Sequence, residues 1–445
     1  MARQKVILPE NGIPINELSK MMEDARKEDV NWDDGKVWSL IFRANQEHYD
    51  FIKKANSMFF SKNALNPLAF PSLKKFESEV ISMTIDLLNG TRRGGGNMTS
   101  GGTESILMGV KTHRDWARAM FPNIIEPEIL LPSSAHPAFD KAAEYFCVKS
   151  VRVPVDGNTY RADVKAMEKG ITDNTILIVG SACDFPRGVV DPITELASIA
   201  KERGIGMHVD ACIGGFILPF VKELGYDIPN FDFSVPGVTS ISADIHKYGY
   251  GPKGTSTITY HHEKLWKYQF SAYVNWSGGI YVSPTMRGTR PGGELAAAWA
   301  ALNFLGRKGY LETTRTVMES ARKLINGINQ INHLYVLGKP DMSVFSFTSD
   351  KFDIYLLGDI MDKKGWTLSR LQLPKALHLI VNPLHSKKVD LFLKDLNDSV
   401  TELLNNPDKE AGAESALYGM MATIPDRASA KEFVLDFLKD IYKVK

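Results

Sequence analysis

The sequence predicts an α/β protein built on a mostly parallel central sheet, with a helical arm ahead of it and a small α+β domain behind it. Three observations carry this expectation. From Gly94 to about residue 300, short apolar or alternating runs take turns with helix-period segments, the pattern of a parallel sheet with crossover helices. Ahead of that stretch the periodicity is helical throughout. Behind it, the alternation gives way to a mixture of two strand patterns and two helix patterns.

The arm, residues 1–93, reads as three helices. Ile15 to Val30 carries charge on a narrow apolar stripe, and Lys36 to Phe60 places Val37, Leu40, Ile41, Ala44, Tyr49 and Ile52 at near-helical spacing. Pro71 opens a third helix through Phe76, Val80, Met83, Ile85 and Leu88, stopped by Asn89-Gly90. A helical arm with no sheet of its own buries little surface alone, so it is expected to wrap a neighbouring subunit. In the large domain, residues 94–310, strands are expected at 128–131, 150–155, 175–181, 206–210, 240–244 and 255–260, with helices such as 136–146 and 192–203 between them. Two long helices, 293–305 and 310–331, lead into the small domain, residues 311–445. There 342–348 and 376–381 read as strands, and 353–363 and 387–404 as helices.

Composition excludes several classes of function. The 445 residues are 44% hydrophobic and 24% charged with a formal net charge of +1, so no electrostatic argument favours nucleic acid or an anionic membrane. Cys147, Cys183 and Cys212 cannot all pair and have no CxxC spacing, which reads as reduced thiols in a cytoplasmic protein. The apolar run before Pro9 is only three residues, Val6 to Leu8, too short for a signal peptide, and no run approaches the roughly 18 that a spanning helix needs.

Four stretches carry candidate chemistry. In T-S-I-S-A-D-I-H-K-Y-G-Y-G-P-K-G-T, Lys247 stands where a strand pattern breaks into a turn, and ligands settle where strands end. Its amine could form a Schiff base if burial or a neighbouring cation disfavours the ammonium form, and His246 and Lys253 could supply that pressure. A solvated lysine at a strand end would look the same. T-S-G-G-T-E-S runs straight into a helix pattern, so Gly102 and Thr103 would offer free N–H groups and the positive end of the dipole to an anion. Plain capping by Ser100 or Thr103 is the competing reading. The Walker pattern and the dinucleotide G-x-G-x-x-G are both absent.

In G-M-H-V-D-A-C-I-G-G, Asp210 ends a buried strand pattern and wants a cationic partner. A magnesium ion ranks below an organic cation there, because no second carboxylate has useful spacing, and no metal is expected. In S-S-A-H-P-A-F-D-K, His136 follows a strand and could stack on an aromatic ring and move protons, although a lone histidine there also suits capping or packing. A lysine amine, an anion-binding loop, a carboxylate for a pyridinium nitrogen and a stacking histidine are together what pyridoxal 5'-phosphate (PLP) requires.

Their order, glycine loop, histidine, aspartate, lysine, resembles the group II PLP-dependent decarboxylase superfamily. The motifs T-S-G-G-T-E-S-I-L-M, A-H-x-A-F-x-K-A-A, H-V-D-A-C-x-G-G-F, F-D-F-x-V-x-G-V-T-S-I-S-A-D-x-H-K-Y-G-Y-x-P-K-G, G-G-I-Y-x-S-P-T, R-P-G-G and F-D-I-Y-x-L, with L-Y-G-M at Leu417, are similar to those of the sphingosine-1-phosphate lyase family over nearly the whole chain. The resemblance implies a type I PLP-dependent transferase fold of the aspartate aminotransferase kind, working as a homodimer with its active site at the subunit interface. It implies Lys247 as the cofactor lysine, Asp210 at the pyridine nitrogen, His136 on the ring, and Gly102, Thr103 and His246 on the phosphate. Thr289 and Arg290 would reach across from the partner subunit, with Lys253 assisting at the substrate. The absence of the transmembrane anchor of eukaryotic relatives is expected of a soluble prokaryotic-type member.

Two departures stand out. The family's N-P-L-H-P-D-x-F-P corresponds here to Asn66-Pro67-Leu68-Ala69-Phe70-Pro71, with no histidine, and a phosphate-contacting tyrosine of the arm is matched to Trp38 after Gly35-Lys36-Val37. Ala69 offers no donor and Trp38 one, so an altered phosphate subsite is expected. The activity implied is PLP-dependent retro-aldol cleavage of a phosphorylated sphingoid base to a fatty aldehyde and phosphoethanolamine. An amino-acid decarboxylase on the same scaffold, and a PLP-fold binding protein without catalysis, are the alternatives.

Overall fold

The structure, a computed structural model, describes residues 6–66, 68–406 and 411–443. Pro67, within the departing arm motif, lies outside them. The arm supplies α1 (Ile15–Ala25), α2 (Gln46–Met58) and α3 (Pro71–Leu87). The predicted helix over 36–60 begins only at Gln46, where the side chain of Asn45 caps it by accepting from His48 N–H. The residues ahead of it are not helical: Val37 bridges Thr367, and Trp38 donates to Thr367 O and accepts from Ile380 N–H. The arm is therefore stitched to its own chain. α1 buries no residue.

The large domain then runs β1 (Gly95–Thr99), α4 (Gly102–Met120), β2 (Glu128–Pro132), α5 (Ala138–Phe146), β3 (Lys149–Val153), α6 (Val164–Lys169), β4 (Thr175–Ser181), α7 (Ile193–Arg203), β5 (Gly206–Asp210), α8 (Leu218–Glu223), β6 (Ser240–Ala243) and β7 (Ser256–Tyr260). Among the described residues the central sheet has seven strands in the order β1-β7-β6-β5-β4-β2-β3. β3, β2, β4, β5 and β6 are mutually parallel, and β7 is antiparallel to both of its neighbours. The six expected strands are present within a few residues of their expected bounds. β1 is additional: its glycines allow close approach to β7, and a Cβ on Gly96 would lie 2.3 Å from Ile258 O.

After α9 (Glu263–Trp266) comes an isolated hairpin, β8 (Ser271–Trp276) and β9 (Gly279–Ser283), exposed over nearly all its length. Its root is tied to α4 by Lys111 Nζ, which donates to the carbonyls of Tyr268 and Gln269 at 2.8 and 3.0 Å. α10 (Gly292–Gln330) is the expected helical pair, broken at Gly306, whose φ is 55°. Its first half packs on the arm, where Trp299 stacks on Phe76 with centroids 4.7 Å apart.

The small domain has an antiparallel sheet of β10 (Leu334–Val336), β11 (Val344–Ser349), β12 (Ser369–Gln372) and β13 (Lys375–Ile380) in the order β10-β11-β13-β12. Covering it are α11 (Ile354–Lys363) and α12 (Val389–Asn405), with α13 (Ala413–Thr423) and α14 (Arg427–Tyr442) following. Its core draws Trp38 from the arm and Ala321, Leu324 and Ile328 from α10. Among the described residues no helix is long and apolar enough to cross a membrane.

Candidate active site

Parallel strands end their side chains in one row, and this row makes the site. Ser181, Asp210 and Ser242 are register partners on β4, β5 and β6, so three polar side chains meet at the carboxyl edge of the sheet. In front of them is a cavity of about 470 Å³ lined by Ser100 to Glu104, His136, Asp210, Asp244, His246 and Lys247. Four sequence candidates far apart in the chain thus share one wall. Ile106, Ser181, Cys183, Phe185, Cys212 and Ile213 complete the lining.

α4 opens at Gly102 with Gly101 as its N-cap residue at φ 149°, and no side chain caps it. The competing reading, capping by Ser100 or Thr103, is thereby removed, and the first-turn N–H groups are left for an anion. Gly102 is needed on steric grounds: a Cβ would come within 2.7 Å of Asp244 Oδ2 and 2.9 Å of Cys212 Sγ. Glu104 braces the loop, accepting from Ser100 N–H at 2.6 Å and from Met286 N–H at 2.9 Å.

Lys247 lies on the turn after β6. Its Nζ is 3.0 Å from Asp244 Oδ2, and His246 Nε2 is 3.4 Å from the same oxygen. Burial opposes the charge on Lys247, but the Asp244 carboxylate outweighs it and holds the amine above the ordinary lysine value. This corrects the expectation that neighbours disfavour the ammonium form. Burial would likewise raise Asp244, yet Lys247 and His246 hold it below the usual carboxylate range. The turn is anchored by Tyr248, whose hydroxyl bonds Ser343 Oγ at 2.7 Å and donates to Val381 O at 2.8 Å in the small domain. Tyr310 Oη donates to Gly249 O at 2.7 Å.

Asp210 is nearly buried, its Oδ1 accepting from Cys212 N–H at 3.1 Å and Ser242 Oγ at 3.3 Å. His136 sits ahead of α5 with Nδ1 accepting from Ala138 N–H at 3.1 Å. Burial lowers its pKa and the Asp210 charge opposes that, so the imidazole is held below the ordinary histidine range. Lys253 is not among the cavity residues. Its Nζ donates to Leu40 O and lies 5.3 Å over the Phe42 ring, and burial followed by the Lys247 charge pulls its pKa down to about 8.

Three arm and loop residues are placed differently from the expectation. Trp38 is wholly buried in the small-domain core, its ring 5.9 Å from Trp366, 4.2 Å from His385 and 4.8 Å from Phe392. It faces no cleft, which removes it from the substrate set; the arm residues that reach Lys253 are Leu40 and Phe42. Ala69 is exposed in the turn before α3, away from the cavity lining of its own chain. Arg290 is held bidentate by Glu77 at 2.6 and 2.9 Å with 7% of its surface exposed, so within this chain its guanidinium clamps α3 to the loop before α10. Thr289, beside it, is exposed.

An amine, two carboxylates, an imidazole and an uncapped glycine-rich helix start around one cavity fit an aromatic aldehyde that carries a phosphate. The fit is sharpened at Gly102, where the bare helix start leaves a cradle that a Cβ would fill, 2.7 Å from Asp244 Oδ2.

Comparison with known proteins agrees with this chemistry. Residues 40–349 match the family model described as the pyridoxal-dependent decarboxylase conserved domain. The chain is 46% identical over 444 residues to the sphingosine-1-phosphate lyase of Arabidopsis thaliana, covering 98% of this chain and 81% of that one. It is 43% identical over 438 residues to sphingosine-1-phosphate lyase 1 of Rattus norvegicus, covering 98% and 77%. Among solved structures, the sphingosine-1-phosphate lyase of Burkholderia pseudomallei superposes with a TM-score of 0.90 at 38% identity, covering 99% of this chain and 98% of that one. A glutamate decarboxylase of Lactobacillus brevis, at 19% identity and a TM-score of 0.80 over 91% and 96%, shares the fold.

Proposed function

The chain belongs to the sphingosine-1-phosphate lyase family of the pyridoxal-dependent decarboxylases, and from that premise we propose that it is a PLP-dependent aldehyde lyase acting on a phosphorylated sphingoid base. The observation that carries the reading is the convergence of Lys247, Asp210, His136 and the start of α4 on one cavity. When bound, PLP supplies an aldehyde that captures amines and a ring that accepts the electron pair released on bond cleavage.

The chain's residues supply the rest. Lys247 would hold the cofactor through its amine. Asp210 would present its carboxylate to the pyridine nitrogen, and His136 would lie against the ring. Gly102 and Thr103 would direct N–H groups to the phosphate, with His246 beside them. Lys253, outside the cavity lining and bonded to Leu40 O in this chain, has its pKa drawn to about 8 and would exchange protons near neutrality if its amine swings to the substrate. In the reaction the C3 hydroxyl loses its proton, the C2–C3 bond breaks, and C2 regains a proton, releasing a fatty aldehyde and phosphoethanolamine.

A homodimer is part of the same reading. The hairpin β8–β9 exposes Tyr273, Val274, Trp276, Ile280 and Val282, and a two-stranded hairpin is marginal unless its apolar side is covered. A second copy would cover it and bring the exposed Thr289 to the neighbouring cavity. The test is to incubate the PLP-loaded protein with sphingosine-1-phosphate, and separately with aromatic and acidic amino acids, assaying aldehyde and carbon dioxide. Aldehyde from the phosphorylated base supports the lyase; carbon dioxide from an amino acid with no aldehyde would replace it with a decarboxylase.

A further inference from the structure

Asp244 stands between the cofactor lysine and the anion-binding helix start, and the reaction above gives it no part. It is 2% exposed, its Oδ2 is shared between Lys247 Nζ at 3.0 Å and His246 Nε2 at 3.4 Å, and its Oδ1 has no partner. A buried carboxylate with an unsatisfied oxygen is costly, and apolar packing would serve the fold better. Its value lies in what it holds.

Lys247 must lose a proton before its nitrogen can bond a carbonyl carbon, and an ion pair keeps that proton on. His246 is fixed as the second donor, because its Nδ1 accepts from Thr255 N–H at 3.3 Å and so leaves the hydrogen on Nε2, toward Asp244. When Lys247 is drawn away to a carbonyl, Asp244 keeps His246 as its donor and stays ionised. The other ionisable groups facing Lys247 are Asp210 and Cys212 after β5, Cys183 after β4, His136 ahead of α5, and His246 and Lys253 near it in sequence. None of these is a carboxylate within ion-pair distance of its amine among the described residues.

We propose that Asp244 is a positioning residue that parks the Lys247 ammonium at the cavity floor and competes with an incoming carbonyl for that amine. The inference rests on the assignment of Lys247 under the proposed function. Capture then balances simply: the ammonium gives a proton to solvent, its nitrogen bonds the carbonyl carbon, and water leaves. The opposed effect on the lysine, burial against the Asp244 charge, has the direction that this role needs.

The experiment uses the full chain freed of cofactor, exposed to pyridoxal 5'-phosphate or to pyridoxal from neutral to alkaline pH, trapped with borohydride and read as adduct mass on the Lys247 peptide. Asp244→Asn is expected to lower the pH midpoint of capture by about 1–3 units, the usual effect of one opposite charge at this range, for both aldehydes. Asp244→Glu, which retains the charge, is expected to keep the native midpoint, and Asp244→Ser serves as the neutral variant if the asparagine form does not fold. An unchanged midpoint overturns the proposal. So does a defect confined to the phosphorylated aldehyde, which would make Asp244 part of the phosphate cradle. Absence of any adduct on Lys247 in the native chain would overturn the lysine assignment itself, a different failure from a native adduct whose pH dependence ignores Asp244.

Discussion

Gly102→Ala puts the cofactor cradle under direct test. An added Cβ would lie 2.7 Å from Asp244 Oδ2, 2.9 Å from Asp244 Oδ1 and 2.9 Å from Cys212 Sγ. None of these atoms can yield easily: Asp244 is 2% exposed and ion-paired to Lys247, and Cys212 is 6% exposed. The first turn of α4 must therefore shift, or the pair with Lys247 must open. Overpacking of this kind costs about 1–3 kcal/mol. Because the strain falls on the N–H groups assigned to the phosphate, it should appear as cofactor affinity weakened about 5- to 150-fold, at about 1.4 kcal/mol per tenfold. The assay is PLP titration by quenching of tryptophan fluorescence, with urea unfolding as the measure of global stability. Gly157→Ala is the control, since nothing lies within 4 Å of its added Cβ. A dissociation constant equal to that of the native protein, with the fold intact, would show that the phosphate does not sit at the start of α4.

Lys247→Ala is expected to abolish turnover and the visible absorbance of the lysine-bound cofactor, and to destabilise the cofactor-free protein by about 3–5 kcal/mol in urea because Asp244 keeps a buried charge without its nearest cation; a persistent band would identify another lysine as the anchor. Asp210→Asn should still bind PLP, by fluorescence titration, but turn over far more slowly, since an amide cannot stabilise a pyridinium as a carboxylate does, and near-normal turnover would place Asp210 elsewhere. Arg290→Gln and Glu77→Gln should each lower stability without changing the substrate KM, and their effects should fall short of additive when combined; a raised KM for Arg290→Gln alone would return the arginine to the substrate. Asp184, buried and close to Asp191, has a carboxyl pushed up to about 7, so the folded state holds its proton more tightly than the unfolded chain and this group's contribution falls as pH rises from about 4 to about 7. Asp184→Asn keeps an acceptor for the N–H groups of Arg187 and Val189 and should raise stability by about 1–3 kcal/mol above pH 7 but not below pH 4, after allowing for an amide left without a partner; an equal effect in chemical denaturation at both pH values would refute the charge argument.

The parts of this molecule that were legible in the sequence are those where local pattern and tertiary need agree. The buried strands at 175–181 and 206–210 are apolar runs with turns on both sides, so period and flanks suffice. Rules about strand ends then place Asp210, His136 and Lys247 near one another before any coordinates exist. β1 was not legible, because Gly-Gly-Asn-Met-Thr has little strand propensity and forms a strand only through its pairing with β7. The irregular run at 36–45 departs from its helical pattern for the opposite reason. Its apolar spacing suits a helix, but Val37 and Trp38 gain more from the edge of the small-domain sheet, and long-range pairing overrides a local period.

Trp38 shows how such an error reaches the chemistry. Matched to a phosphate contact by its distance from Gly35, it lies in the small-domain core, while Leu40 and Phe42, farther along the same segment, meet Lys253. The altered phosphate subsite expected from Trp38 and Ala69 therefore loses its tryptophan, and the arm ring that lies against Lys253 is that of Phe42. A phenyl ring there attracts the Lys253 ammonium through its face but offers no hydrogen bond, and a phenol would add one donor at the same place. The charge of Lys247 follows the same logic at shorter range. His246 and Lys253 are visible beside it in the sequence as cations, yet the side chain that decides its state is Asp244, three residues back, brought within 3.0 Å by the turn after β6. Residue type and spacing could raise that possibility; only the direction of the turn decides that the carboxylate faces the amine.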